Sequence, residues 1–420
     1  MKSAQQQTLL GVRICGVALI LGAAFAAIGV FAPAAQAQPK PIRIGVPTAM
    51  QLQVGRDTQD ALKMAIDDIN AKGGVLGRKL EMVVADETEN PETGISAIKK
   101  LTSDEKVDVL IGGYTSGVTL AQLPHISAAK TIYLNVGSAS PATNAKVKTD
   151  YENYKYVFRV GPLNSAHQAR QLTDFVSGFV KGELGLSKIA IVGENAKWVQ
   201  DLVPLLKKGA TDAGADVRAV EFFDAQTSDF SPLFSKVKES GAQYIVVVLS
   251  HASSDIFAKQ WYDSRFPVPY GGIDVKSMDG DFCDRIGGKS VGEMAVNFAV
   301  RSPLTPKTVP FFDEFRKRTG RSPVYTAFGA NDAAYIYAEA VTRAGTTETN
   351  AVIKELEKTS YVGIPGTTEF DDTHDVKPGT ASFKGPALLL AQWRDGCKRE
   401  VVYPKQLRTA EFVYPAWIKK

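Results

Sequence analysis

The segment around Ser290 carries the strongest catalytic pattern in this sequence, and it matches two known motifs only in part. Residues 288–290 read Gly-Lys-Ser, which is how a phosphate-binding loop ends. That loop needs a glycine five positions before Gly288, where this sequence has Cys283. Residues 288–292 also match the G-x-S-x-G nucleophile elbow, which requires a preceding strand and a following helix. Here a helix is predicted before the motif and a strand after it. A serine hydrolase using Ser290 therefore stays an unfavoured alternative.

Metal ligands and acid–base pairs are equally incomplete. The four histidines are His125, His167, His251 and His374, and no two of them have the spacing of metal ligands. The adjacent carboxylates Asp67-Asp68 and Asp371-Asp372 are more typical of solvated faces or turns than of catalytic pairs. The sequence therefore favours binding over catalysis, and we expect neither an enzyme nor a cofactor or metal site.

The elements that would position any site follow a regular alternation. Strand 42–46 leads into a helix over 57–71, whose end is marked by Gly73-Gly74. Further predicted strands are 80–85, 107–111, 132–135, 189–192, 217–222 and 244–249. Strands that alternate with helices predict parallel sheets covered by helices on both faces. A polar stretch at 146–155 interrupts the alternation, so we expect two α/β units, followed by a tail packed along the surface.

Composition and the N-terminus restrict the partners. The chain has 420 residues with 49 basic and 45 acidic side chains, a net charge of +4, which predicts no nucleic-acid partner. Residues 14–35 are uncharged, follow Lys2 and Arg13, and precede Ala35-Gln36-Ala37. This pattern indicates a signal peptide over residues 1–37, with a membrane anchor as the alternative.

An exported chain would keep Cys283 and Cys397, and the sequence leaves open whether they form a disulfide.

Several segments resemble one family. They are Ile42–Val46, the stretch Ile69–Gly77 that reads INAKGGVLG, Val109–Gly112, and Pro323–Tyr325 followed by Phe328–Ala333. Together they are similar to the periplasmic type I solute-binding proteins, in the leucine/isoleucine/valine-binding branch that serves ABC importers. The resemblance extends over nearly all of residues 40–400.

The resemblance implies an α/β fold of two Rossmann-like lobes with parallel sheets, joined by a three-strand hinge. The crossovers would lie near 158–161, 298–302 and 368–383. The N-terminal lobe would comprise residues 38–158 and 300–370, and the C-terminal lobe and tail residues 159–299 and 371–420. A periplasmic monomer would deliver a small-molecule ligand to a membrane permease. We expect an amino acid, branched-chain or related, with an aromatic or aliphatic carboxylic acid as the alternative; a ligand-sensing receptor module is the rival role.

The resemblance also assigns binding positions in the cleft between the lobes. Ser116 would hold the ligand carboxylate, and Asp274 would receive its ammonium. The other predicted binding residues are Gly137, Ser138 and Ala139 on a backbone-binding loop, Trp198 as a closing aromatic, and Ser250 or His251 on a second closing loop. The loop 51–54 would form a near wall. Ala139 stands where the family often has threonine, and Val54 where it has an aromatic, so the ammonium contact is weaker than usual.

Overall fold

The computed structural model describes residues 39–419 except 381 and 383, so the predicted signal peptide lies outside the described residues. Strands in this part of the chain are β1 Ile42–Thr48, β2 Leu80–Asp86, β3 Val109–Gly112, β4 Ile132–Asn135, β5 Val157–Arg159, β6 Lys188–Glu194, β7 Asp216–Phe223, β8 Tyr244–Leu249, β9 Tyr270–Asp274, β10 Met294–Asn297, β11 Tyr361–Val362, β12 Thr367–Thr368, β13 Leu389–Arg394 and β14 Lys398–Tyr403. No helix within the described ranges is both long and apolar enough to cross a membrane.

Helices separate most of these strands. They are α1 Gln53–Ala71, α2 Pro91–Lys99, α3 Ser116–Ala129, α4 Ala142–Thr149, α5 Tyr151–Tyr154, α6 Ser165–Phe175, α7 Lys197–Asp212, α8 Ser231–Ser240, α9 Ser253–Asp263, α10 Phe282–Arg285, α11 Thr308–Thr319, α12 Tyr325–Ala344 and α13 Thr349–Leu356. The polar stretch 146–155, which interrupts the predicted pattern, falls within α4 and α5.

Two sheets organise the two lobes. The first has the order β2-β1-β3-β4-β5 and is parallel throughout. The second has the order β14-β13-β10-β9-β8-β6-β7, in which β13 and β14 are antiparallel. Central strands such as β3 and β8 are buried along their whole length, because helices cover both faces. The predicted α/β fold class is confirmed.

The C-terminal tail differs from the prediction. Its first part is a paired strand, β14, rather than a segment along the surface. Gly396 and Cys397 both have positive φ and form the turn that brings β14 back beside β13. Cys397 is joined to Cys283 on α10, where the two Cα atoms are 5.5 Å apart, so the question left open by the sequence is answered by a disulfide.

The chain crosses between the lobes before its final strands. Helix α12 packs along α1, which places the segment after β10 back in the first lobe. His374 also belongs to that side, since its ring stacks on Phe158 with 3.9 Å between centroids and its carbonyl accepts the Arg159 N–H at 2.9 Å. The predicted domain boundary at residue 370 precedes this segment.

Candidate functional site

A cavity of about 220 Å³ lies where the carboxyl ends of strands from both sheets face each other. Segments that follow β3 and β4 form one wall, and segments that follow β6, β8 and β9 form the other. Open parallel sheets bind ligands at this edge, because the loops and helix N-termini that follow the strands meet there. Of the predicted residues, Ser116, Gly137, Ala139, Trp198, Ser250 and His251 line the cavity.

The first-lobe wall offers uncharged hydrogen-bond donors. The Ser116 hydroxyl oxygen accepts the N–H groups of Ala139 at 3.2 Å and Ser140 at 3.0 Å, which leaves its O–H to donate. Thr115 makes no side-chain cap on α3, so the first N–H groups of this helix are unpaired beside the cavity. A carboxylate suits this end of the helix, because the helix dipole and the free N–H groups both favour an anion.

The loop 137–139 is held in place by hydrogen bonds to the end of β4. Its Gly137 and Ser138 N–H groups donate to the Asn135 side-chain oxygen at 3.1 and 3.0 Å. A Cβ at residue 137 would collide with the Gly113 carbonyl, so glycine lets the two loops approach. Ser138 is buried below the cavity surface, and its hydroxyl accepts the Asn135 amide at 2.8 Å. The loop N–H groups, predicted to bind the ligand, are thus already paired within the protein.

The second-lobe wall contains a charged cluster around Glu194, the last residue of β6. Its carboxylate lies 2.9 Å from His251 Nδ1, accepts the His251 backbone N–H at 3.0 Å, and accepts the Ser250 hydroxyl. Burial alone would raise the pKa of Glu194, but these hydrogen bonds and the His251 charge bring it below its usual value. Trp198 completes the cluster, since its Nε1 donates to the Ser250 hydroxyl at 3.3 Å.

Contacts cross directly from one wall to the other. The Tyr114 hydroxyl donates to the Ser250 carbonyl at 3.3 Å, and the Ser140 hydroxyl donates to Asp201 at 2.5 Å. His251 Nε2 also lies 3.6 Å from the Glu89 carboxylate of the first lobe. The described structure therefore holds the two lobes together around the cavity.

Asp274 does not line the cavity, although the sequence places it there. Its neighbours Ile273 and Val275 both face the cavity, and alternate residues of an extended strand point to opposite sides. The Asp274 carboxylate instead accepts the Ser254 hydroxyl at 2.5 Å and the N–H groups of Lys276 and Ser277. Burial raises the pKa of Asp274 to about 6.

Other expected features also lie elsewhere. Residues 53–54 of the predicted near-wall loop begin α1, and Val54 is buried without lining the cavity. Ser290 is completely buried within a turn, with neither a strand directly before it nor a helix after it, so the hydrolase alternative has no exposed nucleophile. No cluster of three metal-ligating side chains occurs among residues that the structure describes.

Sequence reasoning missed several residues of the cavity. Glu89, Tyr114, Phe298 and Tyr325 line it, together with Lys197. Tyr114 follows Gly113 directly after β3, and Lys197 begins α7 shortly after β6, so position after a strand could have indicated both. Phe298 and Tyr325 come from the second crossover and the start of α12, and only the folded arrangement brings them to the cleft.

The fold and this cavity define a two-lobed binding protein, and the comparisons agree. The profile of the Periplasmic binding protein family matches residues 41–395. The chain belongs to that family, which confirms the resemblance seen in the sequence. Proteins of this family are non-enzymatic components of transport systems. The prediction that the chain is not an enzyme is therefore also confirmed.

Individual relatives extend this assignment. The chain is 25% identical over 341 residues to the leucine-, isoleucine-, valine-, threonine- and alanine-binding protein of Pseudomonas aeruginosa, covering 79% of this chain and 86% of that one. It resembles the branched-chain amino acid transporter substrate-binding protein of Streptococcus pneumoniae in complex with isoleucine. The TM-score is 0.72 and the sequence identity 21%, and the match covers 87% of this chain and 100% of that one. The chain also resembles a Rhodopseudomonas palustris solute-binding protein in complex with 3,4-dihydroxybenzoic acid. The TM-score is 0.72 and the sequence identity 18%, and the match covers 85% of this chain and 94% of that one.

Proposed function

We propose that this chain is the extracytoplasmic solute-binding component of an ABC importer and captures a small carboxylate between its lobes. One observation carries the proposal: the Ser116 O–H and the uncapped start of α3 face a cavity that residues from both lobes enclose. A ligand held by both walls favours the shut arrangement, because only there does it contact both lobes. The shut form, as a monomer in the periplasm, would then be recognised by a membrane permease.

Two ligand classes remain candidates for this cavity. An amino acid is supported by the Pseudomonas aeruginosa relative, which is named for leucine, isoleucine, valine, threonine and alanine, and by the Streptococcus pneumoniae complex with isoleucine. An aromatic or aliphatic carboxylic acid is supported by the Rhodopseudomonas palustris complex. It is also supported by the site itself, since Ala139 lacks a hydroxyl and Asp274 points away from the cavity.

Tryptophan fluorescence tests whether this cavity is the binding site. Trp198 lines the cavity, whereas the other three tryptophans, Trp261, Trp393 and Trp417, do not. Small carboxylates that raise the melting temperature in a thermal-shift screen should also change the emission of the wild-type protein. We expect Trp198→Phe to remove most of that change and Trp417→Phe to preserve it. A full response in Trp198→Phe would place the binding site elsewhere.

A further inference from the structure

The backbone carbonyls around the expected carboxylate position already accept hydrogen bonds from the protein, which reduces their capacity to accept from a ligand ammonium. The Gly137 carbonyl accepts the Tyr325 hydroxyl at 3.1 Å, and the Ser138 carbonyl accepts the Asn135 amide at 3.1 Å. The Ala139 carbonyl accepts both the N–H and the hydroxyl of Ser165, at 2.8 and 3.1 Å. Each carbonyl of the loop therefore already has a partner within the protein.

The acid predicted to receive an ammonium is engaged below the cavity. Asp274 is completely buried, and Glu293, just before β10, lies beside it and is also completely buried. Burial raises the pKa of both groups; Asp274 raises the pKa of Glu293 further, whereas a hydrogen bond with Glu293 partly offsets the rise at Asp274. Two adjacent buried carboxyls without a cation cannot both ionise easily. The pair is therefore most stable when the two groups share one proton.

Glu89 is the remaining carboxylate to consider, and among the described residues it alone of the acids lines the cavity. Its side chain is about one-third exposed and points across the cleft to His251 at 3.6 Å. It therefore already faces the His251 imidazole of the protein rather than standing unpaired. The rest of the cavity has aromatic and aliphatic walls that include Tyr114, Trp198, Phe298 and Ile273, together with a few polar side chains, Gln168, Asn195 and Lys197.

An ammonium group buried without an acceptor is costly, because it loses its hydration and gains no hydrogen bond in return. We propose that the cleft selects carboxylates that lack an α-ammonium group, with an apolar aliphatic or aromatic tail. Ser116 and the start of α3 hold the carboxylate, and the apolar walls hold the tail. Asp274 acts inside the second lobe with Glu293 and does not touch the ligand. This inference rests on the proposed function and specifies its ligand class.

Matched ligand pairs test the inference directly. Calorimetry would compare 4-methylpentanoate with leucine, and 3-phenylpropanoate with phenylalanine, because each pair differs only in the α-ammonium group. We expect the acid without the amino group to bind at least about tenfold more tightly in the pair that fits, the effect of one unpaired polar group. Equal or tighter binding of the amino acid would overturn the inference and leave the proposed function standing. A screen in which no small carboxylate binds would overturn the proposed function itself.

Substitution at Ala139 provides a second test with a matched control. Ala139→Thr places a hydroxyl beside the Ser116 region, whereas Ala139→Val adds similar volume without a hydroxyl. We expect Ala139→Thr to improve leucine or phenylalanine binding several-fold relative to the paired acid, and Ala139→Val to leave the preference unchanged. Loss of leucine binding in Glu89→Gln, with binding of 4-methylpentanoate unaffected, would instead identify Glu89 as an ammonium acceptor and overturn the inference.

Discussion

The two walls of the cleft differ in their main polar groups. The first-lobe wall presents the neutral Ser116 hydroxyl and the unpaired N–H groups of α3, all fixed by local backbone contacts. The second-lobe wall contains Glu194 and His251, which are paired with each other and carry opposite charges when His251 is protonated. A prearranged set of neutral donors can stabilise a ligand anion without reorganisation, whereas charges already paired contribute mainly to how the lobes meet. We therefore propose that the first lobe provides most of the ligand affinity and that the second lobe contributes mainly to closure.

The lobes also differ in how they are stabilised. In the second lobe a disulfide ties α10 to the turn before β14, whereas the first lobe depends on packing such as α12 against α1. Cys283 is buried with Phe282, Ile286 and Trp393, so this crosslink lies beside the sheet edge. Stability should therefore respond to reduction in one lobe more than in the other.

Removing the disulfide should give the largest effect. The bond closes a loop across 114 residues of sequence. We expect the double variant Cys283→Ser with Cys397→Ser to lose about 2–5 kcal/mol of unfolding free energy, because the unfolded chain regains the freedom of that loop. Urea unfolding would be followed by tryptophan fluorescence, since the four tryptophans all lie in second-lobe elements or the tail.

Far-ultraviolet circular dichroism, which reports both lobes, serves as the comparison for that measurement. The fluorescence transition should move to lower urea than the main dichroism transition in the variant, and wild type in reductant should behave like the variant. Identical midpoints for the variant and the oxidised wild type would show that the crosslink does not stabilise the second lobe.

Ser116→Ala should give the next largest effect, and it concerns ligand affinity. The substitution removes the O–H that faces the cavity and leaves the N–H groups of Ala139 and Ser140 without their acceptor. We expect calorimetry with a bound carboxylate to show a loss of about 1–3 kcal/mol. Ser127→Ala, near the opposite end of α3, is the control and should bind like wild type. Unchanged affinity in Ser116→Ala would contradict the role of the first-lobe wall.

Sequence was sufficient for the features that depend on chain order. Alternating strands and helices predict both sheets, and position after a strand brings Ser116, Trp198 and His251 to the cavity. Their contact with a ligand remains a prediction. Asp274 shows the limit, because it ends β9 at the correct edge while its side chain points to the other face. That direction depends on the register of the strand, and a shift of one residue reverses it.

Long-range partners were a second limit. Glu293 lies beside Asp274, and Tyr325 reaches the Gly137 carbonyl from a distant helix. No local pattern of residue types marks such contacts, because each partner is an ordinary member of its own strand or helix. The sequence therefore predicted which residues line the cavity more accurately than which of their groups remain available to a ligand.

The smallest effect should come from the contact between Glu89 and His251, and it depends on pH. Burial alone would lower the pKa of His251, but Glu194 first and Glu89 second raise it above its usual value, with Lys276 opposing them. A raised histidine pKa means that the contribution to closure is complete at low pH and is lost as pH rises through that pKa. The pair is partly exposed, so we expect it to contribute less than about 1 kcal/mol to binding.

Calorimetry between roughly pH 6 and pH 9 would measure this contribution, because the histidine changes charge there while a carboxylate ligand stays ionised. Wild-type affinity should fall slightly across the range, and Glu89→Gln should flatten the fall by removing the first-lobe partner of His251. Glu92→Gln, an exposed acid on α2, is the control and should keep the wild-type slope. An equal slope in Glu89→Gln would show that Glu194 alone governs His251, and that the charged cluster acts within the second lobe rather than in closure.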